Sequence, residues 1–509
     1  MKINLYLKIL YIKKYCSSFF YTKLESSDIK LFYILILLSL LYVFPIILSN
    51  VLYIDDLGRS LWGHTWYDVG RPVASWMLEL ISQSTRLVDS APLPLLVALI
   101  IYCFFVIQFM KKFDIYNNAK ISEKLILALV PLLNPYFLEN LSYHFEVVFN
   151  LMSLGGTLYV FSRRQKAIID IIISVLLLYA FIAVYQVSIV IFFELIIFEI
   201  TVSIIVLEHF INIIKKTIIR LCCLCFGAGL YYLTVPKIWP LSNGAKMRGE
   251  LITDSFGDFV TKFYENLCGF KQLYIDLYYS FKYLIIVLFI LYAIAILCFV
   301  FRNLTSIYEN FWIKVLRLIW LLFVHVFSLM AVVVPYCLAK YPEFVPRVFV
   351  PLSIALLIFC YVIIYILRRY SLPFLAFFIF SFYNCSFAYG QTLYHEFDHQ
   401  KYIASMIARD VKSYAPNIKN MDIVNRVNAS EWLKSSSIRY PIFNSLVPIY
   451  MNYNWMWGYV LLKHYDLTVN YKQINEQYLI DKKVKPVLDN GFYTMYLIND
   501  VVVIKFEKN

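Results

Sequence analysis

Charge is scarce in this chain. Of its 509 residues only 16% are Asp, Glu, Lys or Arg, whereas 61% are hydrophobic, and the mean hydropathy is +0.68. A soluble globular protein carries about 25% charged residues, so a soluble multi-domain enzyme is excluded and a polytopic membrane protein is indicated. The formal charge of +13 would suggest nucleic acid in a soluble chain. In a membrane chain it reflects Lys and Arg retained in cytoplasmic loops, and no nucleic-acid partner is expected. None of the ten cysteines lies beyond Cys385, so the polar C-terminal stretch is expected to hold no disulfide. Cys103, Cys222, Cys223, Cys225, Cys298, Cys360 and Cys385 lie in apolar runs, where a thiol behaves as a small hydrophobe rather than a zinc ligand. A cleavable signal peptide is not evident. The first long apolar run follows about 30 basic and aromatic residues and reads as an anchor. Internal repeats and low-complexity tracts are not evident either.

What the chain has is long apolar runs. Stretches near the length that crosses a bilayer lie at 31–49, 92–110, 121–138, 147–162, 168–185, 187–206, 217–236, 281–301, 316–338, 349–367 and 372–390, about eleven by that criterion. Lys2, Lys8, Lys13, Lys14, Lys23 and Lys30 precede the first run. Lys111-Lys112, Arg163-Arg164 with Lys166, Lys215-Lys216, Arg302 with Lys314 and Arg317, and Arg368-Arg369 then fall at every second boundary. The positive-inside rule places all of these on the cytoplasmic face.

The expected organisation is an all-α polytopic membrane protein with a small α/β extracytoplasmic C-terminal domain. Residues 1–30 form a cytoplasmic segment. Residues 31–390 form a membrane domain with outer loops 50–91, 134–146, 237–280 and 337–348, and residues 391–509 form the periplasmic domain. In that domain MDIVNRV (421–427) and YTMYLINDVVVIKF (493–506) alternate like strands, and ASEWLKSS reads as a helix. Every unusual polar cluster is thereby extracytoplasmic. A bacterial periplasm holds no nucleotide sugars or ATP, so chemistry there needs lipid-carried or otherwise preactivated substrates.

The first outer loop reads YIDDLGRSLWGHTWYDVGRPVASW, Tyr53 to Trp76. Helical spacing sets Asp55 or Asp56 beside Arg59. A carboxylate there can act as general base toward a hydroxyl, and a guanidinium can hold it ionised or bind phosphate. A solvated helix end is the competing reading. Gly70-Arg71-Pro72 adds a turn with a second guanidinium. Trp62, Trp66, Tyr67 and Trp76 read as an interfacial belt or as a sugar platform. In the second loop, LLNPYFLENLSYHFEVVFN, Asn-Pro breaks the helix and Tyr136, Glu139, Asn140, His144 and Glu146 are candidates to line a cavity. The third loop offers Lys246 and Arg248, and the fourth Glu343 and Arg347, as phosphate ligands or as incidental surface charge. His395-Glu396-Phe397-Asp398-His399 matches HExxH, a zinc-protease signature with His395 and His399 as ligands. Its place where the last span leaves the membrane, with no identified third ligand, argues against metal.

The sequence DDLGRSLWG…GRP, then LLNPYFLENLSYHF, then Tyr185-Gln186 between two spans, resembles the bacterial and prophage-encoded O-antigen glucosyltransferase family. Those serotype-converting enzymes are similar to the wider GT-C-like glycosyltransferases that use lipid-linked sugars. The resemblance runs through most of the membrane region and thins in the tail. It implies glucose on undecaprenyl phosphate as donor, and as acceptor a sugar of the O-antigen repeat, free or lipid-linked, at the periplasmic face of the inner membrane. It implies Asp55 or Asp56 as base in an inverting transfer. Arg59, Arg71 and Arg347 would stabilise the departing lipid phosphate. No cofactor is implied, and a divalent cation is left open. A flippase or polymerase would share the hydropathy but place more charge within spans. Asp170, Glu194, Glu199 and His325 are the exceptions that such a reading would use.

Overall fold

The computed structural model describes residues 24–113, 116, 118–163, 167–253, 255–303, 311–474 and 484–507. The basic residues before Leu24, together with Arg164 and Lys166, lie outside the described residues. The chain is mostly helical, with a small mixed sheet at its C-terminal end. Among the described residues, 8 helices are long and apolar enough to cross a membrane. The chain is a polytopic membrane protein.

The membrane unit runs α1 (Ser26–Ser49), α2 (Asp55–Trp62), α3 (Pro72–Ser82), α4 (Leu93–Met110), α5 (Ile121–Leu129), α6 (Phe137–Ser142), α7 (Val147–Ser162) and α8 (Ile168–Ile182). It continues with α9 (Ser188–Ile205), α10 (Phe210–Ile238), α11 (Asn243–Gly249), α12 (Phe256–Gly269), α13 (Lys271–Asn303), α14 (Phe311–Cys337), α15 (Leu352–Leu367) and α16 (Leu372–Tyr414). Each expected apolar run is found on these helices except the third. The continuous span expected over 121–138 breaks into α5, a turn and α6. The helix ends at Leu129 just before Pro131, which lacks an amide to continue the hydrogen-bond ladder, and Asn134 satisfies the backbone of the turn beyond it. Its Oδ1 accepts from the Tyr136 amide at 3.1 Å, and its Nδ2 donates to the Phe349 carbonyl at 2.8 Å. Broken backbone at membrane depth is stable only when buried in protein, and residues 126–143 are buried throughout. Close helix packing around α7 uses small residues. A side chain on Gly155 or Gly156 would strike Tyr102 of α4 or Phe181 of α8.

Helix ends rich in Lys and Arg meet at one face. Lys111 pairs with Asp28 at 2.6 Å, Lys112 pairs with Glu199, and Arg220 pairs with Glu199 at 3.1 Å. Arg220 also donates to the Phe161 carbonyl, Arg317 to those of Ile204 and Glu208, and Arg302 to that of Ile366. Cations thus close exposed helix C-termini, where the macrodipole favours them. The exceptional membrane charges are engaged in the same way. Glu199 belongs to this network, Asp170 caps α8 through the Ala167 amide, Glu194 accepts from Ser328, and His325 packs among Phe289, Tyr292 and Phe359.

The C-terminal unit adds β1 (Asn420–Val424), α17 (Glu431–Arg439), α18 (Phe443–Leu446), α19 (Met456–Lys463), β2 (Asn470–Tyr471), β3 (Leu488–Asp489), β4 (Thr494–Ile498) and β5 (Val501–Lys505). The sheet order is β2-β1-β5-β4-β3, with β1 parallel to β2 and β5, and β3, β4 and β5 antiparallel. Its apolar face (Met421, Ile423, Val502, Ile504) packs on Ile403, Ile407 and Val411 of α16. The expected boundary between residues 390 and 391 falls inside α16, a single helix that runs from the apolar bundle into the core of the sheet unit. Glu199→Gln would leave Lys112 and Arg220 buried without their carboxylate. Breaking a buried pair costs about 3–5 kcal/mol, so thermal unfolding in detergent should show a large fall in Tm.

Candidate active site

The chain leaves α1 through a left-handed Asn50 (φ 45°) and enters α2 through Ile54, whose φ of 44° is unusual for a β-branched residue. Such strain persists only where neighbours enforce it. Here Tyr450 of the C-terminal unit does so. Its hydroxyl accepts from the Ile54 amide at 3.2 Å and donates to the Leu52 carbonyl at 3.1 Å. Helix α2 then opens with Asp55 and Asp56, two acids suited to the positive end of a helix, and stops at left-handed Gly63.

The two aspartates do different things. Asp56 is fully buried. Its Oδ2 accepts the amides of Tyr53 at 3.2 Å and His144 at 2.8 Å, and its Oδ1 that of Phe145 at 3.4 Å, which fastens the start of α2 to the segment between α6 and α7. Burial pushes its pKa up to about 7, against the pull of His144. The His144 ring pairs with Asp89 at 2.9 Å. Burial works to lower the His144 pKa, but the Asp89 hydrogen bond and the charge of Asp56 raise it. Asp55 is half-buried, and among the described residues no hydrogen bond or ion pair takes up its carboxylate. Burial and then the neighbouring Glu146 raise its pKa, with Arg347, Arg59 and Arg71 pulling the other way.

Glu146 is the hub of the cationic side of the site. It lies 3.6 Å from Arg59 and 3.5 Å from Arg71, and accepts from the Trp66 indole at 2.8 Å. Burial opposes its ionisation, but Arg71, Arg59 and Arg347 hold its pKa below the usual value. Arg59 stacks on Trp66 with its guanidinium carbon 3.9 Å from the ring centroid, and Arg71 lies 4.4 Å over Tyr185. Arg71 is also held by Gln186 Oε1 at 3.3 Å, while Gln186 Nε2 donates to Tyr231 at 2.7 Å and to the Val69 carbonyl at 3.2 Å. Gly70 has φ 76°, and a side chain there would meet the Tyr231 hydroxyl at 2.6 Å, so the Gly-Arg-Pro turn needs its glycine. Arg347 enters from the opposite side. Its amide donates to Glu139 at 2.7 Å and its guanidinium to Tyr143 at 3.2 Å and Glu343 at 2.8 Å. Burial pushes Glu139 up to about 7 despite Arg347, whereas Glu343 is held down to about 2 by Arg347 and Arg248 against the effect of burial.

A half-buried carboxylate without a hydrogen-bond partner among the described residues, in the electrostatic field of Glu146 and three guanidinium groups, is an arrangement for moving a proton beside an anion. The family model described as Glucosyl transferase GtrII matches residues 44–351. The chain belongs to the GtrII glucosyl transferase family. Among similar proteins, one from Salmonella phage P22, described as an uncharacterized 55.3 kDa protein in the gtrB 5′ region, is 25% identical over 500 residues. That alignment covers 95% of this chain and 100% of the phage protein. No solved structure matches the chain. The GtrII match contains Asp55, Glu146 and all three arginines, and it ends before HExxH.

The remaining candidates of this GtrII protein lie around that centre. Tyr136 donates to the Leu273 carbonyl at 2.5 Å, and Asn140 holds the Arg347 carbonyl at 3.5 Å, so both brace the loops. Trp66, read from the sequence as belt or platform, is wholly buried beneath Arg59. Trp62 stays exposed beside α19. Arg248 reaches the site through Glu343 at 3.0 Å, and Lys246 is exposed on α11. In HExxH, His395 stacks on Trp432 at 3.9 Å and His399 approaches the Asn428 carbonyl at 3.3 Å. Glu396 is buried, accepting from Gln400 and from the Ser430 amide. Those side chains anchor α17 to α16. Among the described residues no group of His, Cys, Asp or Glu is placed to hold a metal ion.

Tyr185-Gln186 is visible in the sequence as a polar pair between spans, but its grip on Arg71 is not. Asp56→Ala should leave the Tyr53, His144 and Phe145 amides without their acceptor. An unsatisfied buried donor costs about 1–3 kcal/mol, so Tm should drop markedly. Asp55→Ala, which removes no hydrogen bond, should leave Tm nearly unchanged in the same detergent.

Proposed function

We propose that this chain transfers a glucosyl group from undecaprenyl-phosphate-glucose to a sugar of the O-antigen repeat at the periplasmic face of the inner membrane. Family membership supports glucosyl transfer. The observation that carries the mechanism is the contrast between the two aspartates, one fastened to three amides and the other open toward three arginines. The convergence of Lys and Arg on the face away from Asp55 supports a cytoplasmic N-terminus and a periplasmic C-terminal unit.

In this reading Asp55 is the general base. It takes the proton of the acceptor hydroxyl as that oxygen bonds to the anomeric carbon, and the bond from that carbon to the phosphate oxygen breaks with its electron pair. Arg59, Arg71 and Arg347 meet the charge that develops on the departing phosphate, which strengthens their interaction in the transition state. A single displacement inverts the anomeric centre. Glu146 is a positioning residue: at 3.5 to 3.6 Å it orients Arg59 and Arg71 without a close pair that would occupy their donors.

The test is O-antigen mass in cells that supply the lipid-linked glucose, with membrane levels checked. Wild type should add one hexose. Asp55→Asn should lose about 100-fold or more of the transfer rate, within the range for removing a general base. His395→Ala should retain transfer, and full activity in Asp55→Asn would end the assignment. Because burial and Glu146 raise the Asp55 pKa, transfer should rise with pH through a limb above the ordinary carboxylate range. Glu146→Gln removes the like charge and should move that limb to lower pH.

A further inference from the structure

Gly58 occupies the middle of α2, where glycine costs a helix about 1 kcal/mol relative to alanine. Space explains it. A Cβ at this position would lie 2.7 Å from Trp62 Cζ3 and 3.1 Å from Trp457 Cζ3. Two indoles from distant parts of the chain therefore meet over one turn of α2. Trp62 comes from the end of that helix, and Trp457 from α19 of the C-terminal unit. Trp62 is 40% exposed, and the Lys463 ammonium lies 5.2 Å from its ring centroid. Helical side chains lean toward the N-terminus, so the Trp62 ring lies back along α2 in the direction of Asp55. Seven residues separate the two, which puts them on one face of the helix and about 10 Å apart, roughly the length of two linked pyranoses.

We propose that Trp62, Trp457 and Lys463 form a stacking site for the saccharide acceptor, so that the C-terminal unit takes part in acceptor recognition. This rests on the reading of Asp55 as the base of a sugar transfer. The C–H-rich face of a pyranose packs on the exposed part of an indole, and the ammonium that lies over the Trp62 ring can donate to the sugar hydroxyls. A lipid-interface belt does not account for the pair, because Trp457 belongs to α19 and packs against the core of the sheet unit. The glycine that admits both rings is explained by the platform, since packing alone would be served by an alanine and a smaller neighbour.

The experiment uses the full-length protein in detergent and, as probe, the O-antigen oligosaccharide of the strain in which transfer is scored. Saturation-transfer NMR reads its binding to wild type, Trp62→Ala, Trp457→Ala and Trp62→Phe. Thermal unfolding confirms that each is folded, and Lys463→Gln at the rim serves if the alanine variants are not. Binding should weaken about tenfold in the alanine variants, the scale of one lost stacking contact, and should return in Trp62→Phe. In steady-state transfer the acceptor KM should rise by a similar factor while the donor KM stays unchanged. Oligosaccharide binding equal in all variants, absent from wild type, or accompanied by a changed donor KM overturns the platform. Binding that depends on the tryptophans in a protein that transfers no hexose leaves the platform standing and ends the proposed reaction. Transfer with an unaltered acceptor KM does the reverse.

Discussion

The loops around the candidate site hang on one buried carboxylate. Asp56 gathers the amides of Tyr53, His144 and Phe145 around its two oxygens, and in doing so fixes α2 against the loop between α6 and α7. Everything on the cationic side follows from that junction. Glu146 is two residues beyond His144, so the same loop that Asp56 secures delivers the acid that orients Arg59 and Arg71. The full burial of Asp56 makes each of its hydrogen bonds matter more than it would in water, since an amide left without a partner there has no solvent to turn to.

The site is also a problem in charge balance. Arg59, Arg71 and Arg347 approach one another near Asp55, Glu139, Glu146 and Glu343. Cations so close would repel without the acids between them, and acids so buried would protonate without the cations. Stacking completes the arrangement, with Trp66 under Arg59 and Tyr185 under Arg71 occupying guanidinium faces while the edges stay available for hydrogen bonds. At the opposite face Glu199 serves Lys112 and Arg220 by the same logic, there to close helix ends instead of opening a site.

Much of the architecture was legible in the sequence because apolar length and the distribution of Lys and Arg are direct consequences of the bilayer. The strands near 421–427 and 493–506 showed through their alternation, and the helix at ASEWLKSS through its Ser430 cap. The Asn-Pro break in the third run was legible, but what holds it was not, because that depends on Asn134 reaching the Phe349 carbonyl far along the chain. Neighbouring aspartates could not be told apart for a similar reason: what separates them is His144 and Tyr450, contacts distant in sequence. HExxH matched a metal motif that its position argued against, and spacing alone did not reveal that Glu396 instead accepts from the Ser430 amide.

Helix α16 is 43 residues long and passes from the membrane region into the core of the sheet unit without a break. A helix is a screw, so height and rotation are locked together along it. One residue inserted between Tyr389 and Ile403 would raise the sheet by about 1.5 Å and turn it by about 100°, carrying Tyr450 off the Ile54 amide. The sheet unit therefore cannot change its height without changing its phase, as a domain on a flexible tether could. Loops of the sheet can change length without this penalty, because they lie off the shaft that sets its phase.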